Sequence, residues 1–313
     1  MDPRKIIYLI NPISGTRGKT SLQELIVRET GKKGIAFRIL PTDVAGNYTY
    51  LLSLIKDEAV TDIVVCGGDG TVSAVSAALQ GTGVRIGIIP MGSGNGLAFA
   101  AKIPKDPKRA LDIVFAGKSS FIDAFLINGE LSCMLCGIGL DGSVAHEFAL
   151  QSRRGLQTYI RVTMKNFFTA QPYPFRIHIP SGDGDREWSF PVEAFFINIA
   201  NGDQFGNHFT IAPKARLDDG LLDIVIVRKT GKWRMLLSVL RQVLGGNTVD
   251  EMTGSGGMRD VGASKKKILY FQVPGLVIGN PGAAPLHIDG DPKPTAEEFR
   301  IEVVREAINL IQP

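Results

Sequence analysis

The chain has 313 residues, 44% hydrophobic and 21% charged, enough for two domains with their own cores. Its formal charge of +4 and pI near 8.9 suit an acidic ligand or an anionic surface, but do not mark a nucleic-acid binder. The N-terminus lacks a signal peptide and no apolar run reaches the ~20 residues of a membrane span, so a cytoplasmic protein is expected, one that meets a membrane only from the side.

Lys5 to Ile10 reads as a buried strand that runs into Asn11-Pro12-Ile13-Ser14-Gly15. Ser21-Leu22-Gln23-Glu24 predicts a capping box, with its helix stopping at Gly31. A second strand, Ile35 to Leu40, and a helix from Tyr48 to Glu58 follow. The apolar Val64-Val65-Cys66 then leads into Gly67-Gly68-Asp69-Gly70-Thr71, and a helix is predicted from Val72 to Leu79. Glycines at such a turn let backbone N–H groups approach an anion, and the next helix aims its positive end at the same place. Asp69 is a fixed negative charge inside this phosphate-type loop. It either works through a cation or a proton, or is simply an exposed turn residue. A further strand–turn–helix unit runs from Arg85 to Ile89, through Met91-Gly92-Ser93-Gly94-Asn95-Gly96, into Leu97 to Ala101. Asp106-Pro107 starts another helix and Gly117 closes it. Strands alternating with helices imply a parallel sheet whose phosphate-type loops lie at the strands' C-terminal ends.

After about Phe121 the texture changes. Phe121 to Asn128, Leu131 to Gly137, Phe175 to Ile179, Val192 to Ala200, Leu221 to Val227, Ile268 to Val273 and Phe299 to Val304 predict strands joined by turns. They describe a mostly antiparallel second domain, interrupted by helical stretches at Ser143 to Ala170 and Lys232 to Leu244. The three cysteines, Cys66, Cys133 and Cys136, sit in apolar runs. Cys133 and Cys136 have zinc or redox spacing but no second Cys/His pair nearby, which favours core packing. Gly137-Ile138-Gly139-Leu140-Asp141-Gly142 matches a dinucleotide fingerprint. The acidic partner expected about twenty residues on is missing, because no acid occurs between Glu147 and Asp183. Gly15-Thr16-Arg17-Gly18-Lys19-Thr20 is too short for a Walker A loop.

Six motifs occur in order: Asn11-Pro12-Ile13-Ser14-Gly15, Gly67 to Thr71, Gly92-Ser93-Gly94-Asn95, Gly139 to Gly142, Leu217-Asp218-Asp219-Gly220-Leu221-Leu222-Asp223, and Ile288-Asp289-Gly290-Asp291. Together they resemble the diacylglycerol kinase catalytic family, soluble lipid kinases that include bacterial diacylglycerol kinases, sphingosine kinases and ceramide kinases. The resemblance spans nearly the whole chain. It implies an NAD-kinase-like α/β domain over 1–124, to which about 299–313 return, and an antiparallel β-sandwich over 125–298, with ATP in the cleft between them. It also implies a transfer of the ATP γ-phosphoryl group, with Mg²⁺, to a lipid hydroxyl such as that of a diacylglycerol or sphingoid lipid. On this resemblance Asn11, Ser14, Gly15 and Thr42 border the nucleotide. Gly67, Gly68, Asp69, Gly70 and Thr71 cradle its phosphates, and Ser93 and Asn95 complete the ATP site. Arg17 and Lys19 are further donors or merely solvated. Phosphoryl transfer needs positioning and charge neutralisation, plus an acceptor for the hydroxyl proton. Asp289 is the favoured base and Asp69 its rival, with Asp69, Asp123 and Asp291 in the Mg²⁺ and phosphate network. Ile288-Asp289-Gly290 is also a good hairpin signal. A structural Mg²⁺ is implied at the Asp219 carboxylate and the main-chain carbonyls of Arg216 and Leu221, where a plain turn is the alternative.

Two positions depart from the family pattern: Gly96, where many bacterial members have Asp, and Asp291, where Glu is commoner. They leave room for a nucleotide- and lipid-binding regulator without turnover. An NAD kinase is disfavoured because the chain has no Asn-Glu pair. Arg228, Lys229, Lys232, Arg234 and Arg241, with Trp233, Leu236, Leu237, Leu240, Val243 and Leu244 at helical spacing, suggest a basic amphipathic helix for an anionic membrane surface. A core-packed helix is the alternative. Arg153, Arg154, Arg161, Lys165 and Lys265 to Lys267 add basic surface. The implied partners are a lipid substrate in a membrane and the membrane surface itself, without nucleic acid, and a homodimer is left open.

Overall fold

The computed structural model describes residues 4–10, 19–43, 45–152, 155–180, 187–203, 212, 214–229, 231 and 267–313. The chain divides into two units, Met1–Ala124 with Arg305–Pro313, and Phe125–Val304.

The first unit is an α/β fold. Its strands are β1 (Lys5–Ile10), β2 (Ala36–Pro41), β3 (Asp62–Gly67) and β4 (Arg85–Pro90). Its helices are α1 (Lys19–Lys32), α2 (Tyr50–Glu58), α3 (Asp69–Ala78), α4 (Gly96–Ala100) and α5 (Pro107–Ala116). The strands pair in parallel in the order β2-β1-β3-β4. Ile6, Ile7, Leu9, Ile63, Val64 and Val65 are completely buried, the continuous apolar pattern of parallel strands covered on both faces. Buried Asp62 anchors the strands' N-terminal ends, with Arg4 Nε 3.1 Å and Arg85 Nε 2.8 Å from its carboxylate. Removing both arginines would leave the buried carboxylate uncompensated, which is more costly than the net worth of the pairs.

Two local expectations are corrected here. Helix α1 starts at Lys19, so Ser21 lies inside it rather than capping it. It passes through Gly31, and the left-handed residue beyond its end is Gly34, at φ 64°. Helix α3 starts at Asp69, not Val72, with extended Gly68 at its N-cap. The α5 signals act as read: Asp106 accepts the Arg109 N–H at 2.9 Å, and Gly117 is left-handed at φ 67°.

The second unit is antiparallel and sandwich-like. Strand β5 (Ser119–Ile127) leads in, followed by β6 (Glu130–Ser132), β7 (Leu135–Gly139), α6 (Leu140–Ala149), α7 (Leu156–Thr169), β8 (Tyr173–Ile179) and β9 (Trp188–Ala200). Then come β10 (Leu222–Arg228), β11 (Ile268–Val273), β12 (Gly275–Gly279), β13 (Leu286–Ile288), β14 (Asp291–Lys293) and β15 (Glu298–Ile311). Strand β9 pairs with β7, β8 and β10. Its residues Ile197 and Ile199 join Phe125, Ile224, Ile226 and Phe299 in the core. Strand β15 pairs first with β12, through Glu298 to Glu302, and then with β4 of the first unit, at Asn309 and Leu310.

The stretch expected as one strand over Leu131 to Gly137 bends at Cys133-Met134 into β6 and β7. The stretch expected as one helix over Ser143 to Ala170 is two helices, α6 ending at Ala149 and α7 starting at Leu156, and Gly155 before α7 adopts φ 131°. The stretch Lys232 to Leu244 lies outside the described residues. No described helix is long and apolar enough to cross a membrane.

Candidate active site

In the first unit, the loops following β3 and β4 pack backbone against backbone. A Cβ on Gly92 would stand 2.6 Å from Gly68 Cα, so a side chain there would force the loops apart. Met91 N–H donates to Gly67 O at 2.9 Å across the same contact. Asn95 is left-handed at φ 58°; its Oδ1 accepts the Gly92 N–H at 2.7 Å and its Nδ2 donates to Gly92 O at 2.8 Å. Asp69, the first residue of α3, accepts the Gly96 N–H at 2.9 Å and the Leu97 N–H at 3.1 Å with its two oxygens. Its carboxylate therefore holds the first turn of α4 and fixes the loop between β4 and α4. Position 96 contributes its backbone N–H to this clasp.

Thr42 is buried after β2, its N–H donating to Ile10 O at 3.1 Å. Ser93 is exposed at the second loop, and Gly67, Gly70 and Thr71 sit at the β3–α3 turn. Asn11, Ser14, Gly15 and Arg17 lie outside the described residues. Asp123, buried in β5, accepts the N–H of Glu306, a left-handed residue of β15 at φ 51°, over 2.9 Å.

In the second unit, Asp289 and Gly290 form the two-residue turn of the β13–β14 hairpin, both left-handed at φ 48° and 86°. Asp289 Oδ1 accepts from Ser132 Oγ at 2.9 Å, Met134 N at 3.1 Å and Leu135 N at 3.0 Å, while Oδ2 accepts from Cys133 N at 3.1 Å. The bend between β6 and β7 thus wraps this carboxylate in a hydroxyl and three consecutive backbone donors. Hydrogen bonds of this kind to a carboxylate are roughly twice as strong as neutral ones. Asp291 is exposed at the start of β14.

The loop before β10 is a tight Asx turn: Asp219 Oδ1 accepts the Leu221 N–H at 3.0 Å, and Gly220 is left-handed at φ 70°. Among the described residues no three His, Cys, Asp or Glu side chains gather at metal-binding distance. A cation at this loop would therefore depend on one carboxylate and backbone carbonyls, an all-oxygen set that suits Mg²⁺. Nearby, buried Asp223 accepts hydrogen bonds from Tyr270 Oη and, at 3.3 Å, Gln272 Nε2. Burial pushes its carboxyl up to about 7.

The sequence reading gave no role to two residues that the structure brings beside the Asp289 turn, Asp141, quoted only within a motif, and His287. His287, fully buried in β13, places Nε2 2.9 Å from Asp141 Oδ2 at the start of α6. The signal was the glycine spacing of residues 137–142, which matched a nucleotide fingerprint but serves close packing.

Comparison with known proteins adds to this geometry. Residues 5–127 match the family described as "Diacylglycerol kinase catalytic domain". Residues 135–295 match the "YegS C-terminal NAD kinase beta sandwich-like domain". The chain is 27% identical to "Probable lipid kinase YegS-like" of Chromohalobacter salexigens, over 92% of this chain and 86% of that protein. It is 26% identical to "Diacylglycerol kinase" of Mycobacterium tuberculosis, over 99% and 95% of the two chains. A crystal structure titled as a diacylglycerol kinase from Bacillus anthracis superposes with a TM-score of 0.73 at 20% identity, covering 100% of this chain and 98% of that one. The last likeness is one of fold.

Proposed function

The chain belongs to the family of lipid kinases that join a diacylglycerol kinase catalytic domain to a YegS-type C-terminal domain, and from that premise we propose an ATP- and Mg²⁺-dependent transfer to a lipid hydroxyl. Its membership makes it a phosphotransferase. The proposed acceptor is a diacylglycerol or a sphingoid-type lipid, reached at a membrane surface.

The observation that carries this reading is the clasp of the two glycine loops, Gly68 against Gly92 and Asp69 onto the N–H groups of Gly96 and Leu97. It holds two glycine turns together at the C-terminal ends of β3 and β4, where backbone donors can meet phosphate oxygens. In the proposed reaction the lipid hydroxyl oxygen bonds to the γ-phosphorus as the bond to the β–γ bridging oxygen breaks, and ADP leaves. The hydroxyl proton passes to a carboxylate, which we assign to Asp289, with Asp291 beside it at the hairpin. Asp69 orders the phosphate loops. Mg²⁺, when bound with the nucleotide, would draw on Asp69 or Asp123 and neutralise phosphate charge; the structural cation would take Asp219 and the carbonyls of Arg216 and Leu221.

Peripheral membrane contact has support on α7. Ile160, Met164 and Phe168 recur every fourth residue and are 52%, 37% and 51% exposed. Arg161 and Lys165 adjoin them, and α7 contains no acidic residue. An apolar stripe beside basic side chains fits an anionic interface.

The test is purified protein with labelled ATP, Mg²⁺ and a panel of diacylglycerol, sphingoid base, ceramide and phosphatidylglycerol, repeated with Asp289→Ala. Labelling of one lipid, lost in the variant while ATP affinity persists, is expected. ATP binding with no lipid labelled would favour the regulator suggested by Gly96 and Asp291. Labelled NAD would favour an NAD kinase.

A further inference from the structure

We infer that His287 and Asp141 are a buried positioning pair that holds the Asp289–Gly290 turn in its left-handed form, and so fixes where the Asp289 carboxylate stands. The inference rests on the reading of Asp289 as the base.

A left-handed aspartate is an uncommon backbone state that persists only where its surroundings over-determine it. Asp289 N–H donates to Leu135 O at 2.8 Å, and the carboxylate is wrapped by residues 132–135. The other half of the turn is held by His287. Its Nδ1 accepts the Gly290 N–H at 3.2 Å. Accepting there places the ring proton of a neutral imidazole on Nε2, which lies 2.9 Å from Asp141 Oδ2, a close polar contact and not an aligned hydrogen bond. Asp141 is held in turn by Asn198 Nδ2, which donates to the same oxygen at 3.0 Å. The chain of support runs from Asn198 to Asp141, to His287, to Gly290 and the turn.

The glycines of residues 137–142 make room for it. A Cβ on Gly137 would stand 2.5 Å from His287 Nε2 and 2.2 Å from Asp141 Oδ2. A Cβ on Gly142 would stand 2.1 Å from Pro285 O, on the segment leading into β13. Helix α6 also touches the hairpin through His146, whose Nε2 lies 3.0 Å from Leu286 O in β13 and 3.2 Å from Lys293 O in β14. A catalytic carboxylate on a two-residue turn needs such support, because a small misplacement of a reacting group is costly in rate.

Two substitutions separate the contacts. In His287→Asn an amide oxygen can occupy the Nδ1 position and accept from Gly290. In His287→Gln the amide reaches the Nε2 position and leaves Gly290 without its acceptor. With the lipid acceptor that the panel identifies, His287→Gln should lower kcat roughly ten- to a hundredfold at unchanged KM for ATP. His287→Asn keeps the acceptor for Gly290 but gives up the Asp141 contact, so it should lower kcat only several-fold. Hydrogen exchange at the Gly290 amide, read by NMR, should accelerate in His287→Gln and not in His287→Asn. If the two variants behave alike in both readouts, the inference fails. Should His287→Gln not fold, Asp141→Asn serves instead: it keeps the ring and should lower kcat several-fold at unchanged KM for ATP, and an unaltered kcat overturns the pair's role. A fully active Asp289→Asn would instead overturn the assignment of the base, while the exchange readout would still judge the positioning pair.

Discussion

Glycine-to-alanine substitutions at positions 31 and 142 should shift stability in opposite directions, although both glycines lie in helices. Alanine is the better helix former by about 1 kcal/mol in a helix interior. At Gly31, in the last turn of α1, a Cβ would meet nothing within 4 Å, so Gly31→Ala should stabilise the protein by ~0.5 kcal/mol. At Gly142, in the first turn of α6, the new Cβ would stand 2.1 Å from the Pro285 carbonyl oxygen. Relief requires helix and loop to part by about 1 Å, an overpacking strain worth about 1–3 kcal/mol. That carbonyl also accepts the Gly139 N–H at 2.8 Å, so parting weakens a buried hydrogen bond. The weakened bond adds ~1 kcal/mol, and with the helix-propensity gain deducted Gly142→Ala should destabilise by roughly 1–3 kcal/mol. Urea unfolding followed by far-ultraviolet circular dichroism measures both. A Gly142→Ala protein as stable as the parent would refute the claim that close packing, and not conformational freedom, requires glycine there.

Two further predictions concern Asp223 and α7. Burial raises the folded carboxyl of Asp223 from 3.8 to about 7, so between these values the native state holds a proton that the unfolded chain has released. Its stabilising contribution is therefore complete below about pH 4 and lost as pH rises to about 7, a change on the order of 4 kcal/mol. Asp223→Asn should flatten the pH dependence of urea unfolding in metal-free buffer, and parallel slopes in parent and variant would contradict this. Replacing Ile160, Met164 and Phe168 together by Ser should weaken co-sedimentation with phosphatidylglycerol vesicles roughly a hundredfold, taking on the order of 1 kcal/mol for each partly immersed side chain. ATP affinity should not change; undiminished vesicle binding would remove α7 from the membrane surface.

What was legible in the sequence was local. The apolar runs of β1 and β3, the Asp106–Pro107 start and Gly117 stop of α5, and the bounds of β11 follow from burial pattern and cap chemistry within a few residues. The partners of Asp69 and Asp289 were not legible, because each lies far along the chain. Asp69 meets N–H groups 27 and 28 residues later, and Asp289 meets donors 154 to 157 residues earlier. The three-residue strands β13 and β14 are too short to show a period, so the hairpin could be read only from its Asp289-Gly290 turn. Gly142 looked like part of a phosphate fingerprint because tight packing and phosphate approach both ask for a missing Cβ. Only its neighbour, Pro285 O, distinguishes the two.

The anchoring of Asp69 and Asp289 bears on how either is assigned to chemistry. Each carboxylate holds backbone donors of a neighbouring segment, so replacement by Ala removes an anchor together with a charge. Unpaired buried donors cost about 1–3 kcal/mol each, enough to move a loop and abolish turnover without any proton transfer having been touched. Loss of activity on truncation therefore does not by itself distinguish a base from a clasp. Asn substitution narrows the question: it keeps one carbonyl oxygen for the anchored N–H groups while removing the basic carboxylate. At Asp289 the amide oxygen can still accept from Ser132, Met134 and Leu135, while its NH2 group faces the single Cys133 N–H, so a large fall in kcat with undisturbed ATP binding and unfolding would point to the proton. At Asp69 the amide places a donor against one of two adjacent N–H groups, so ATP affinity and kcat should fall together. It is the pattern of the two variants, not the size of either loss, that assigns the base.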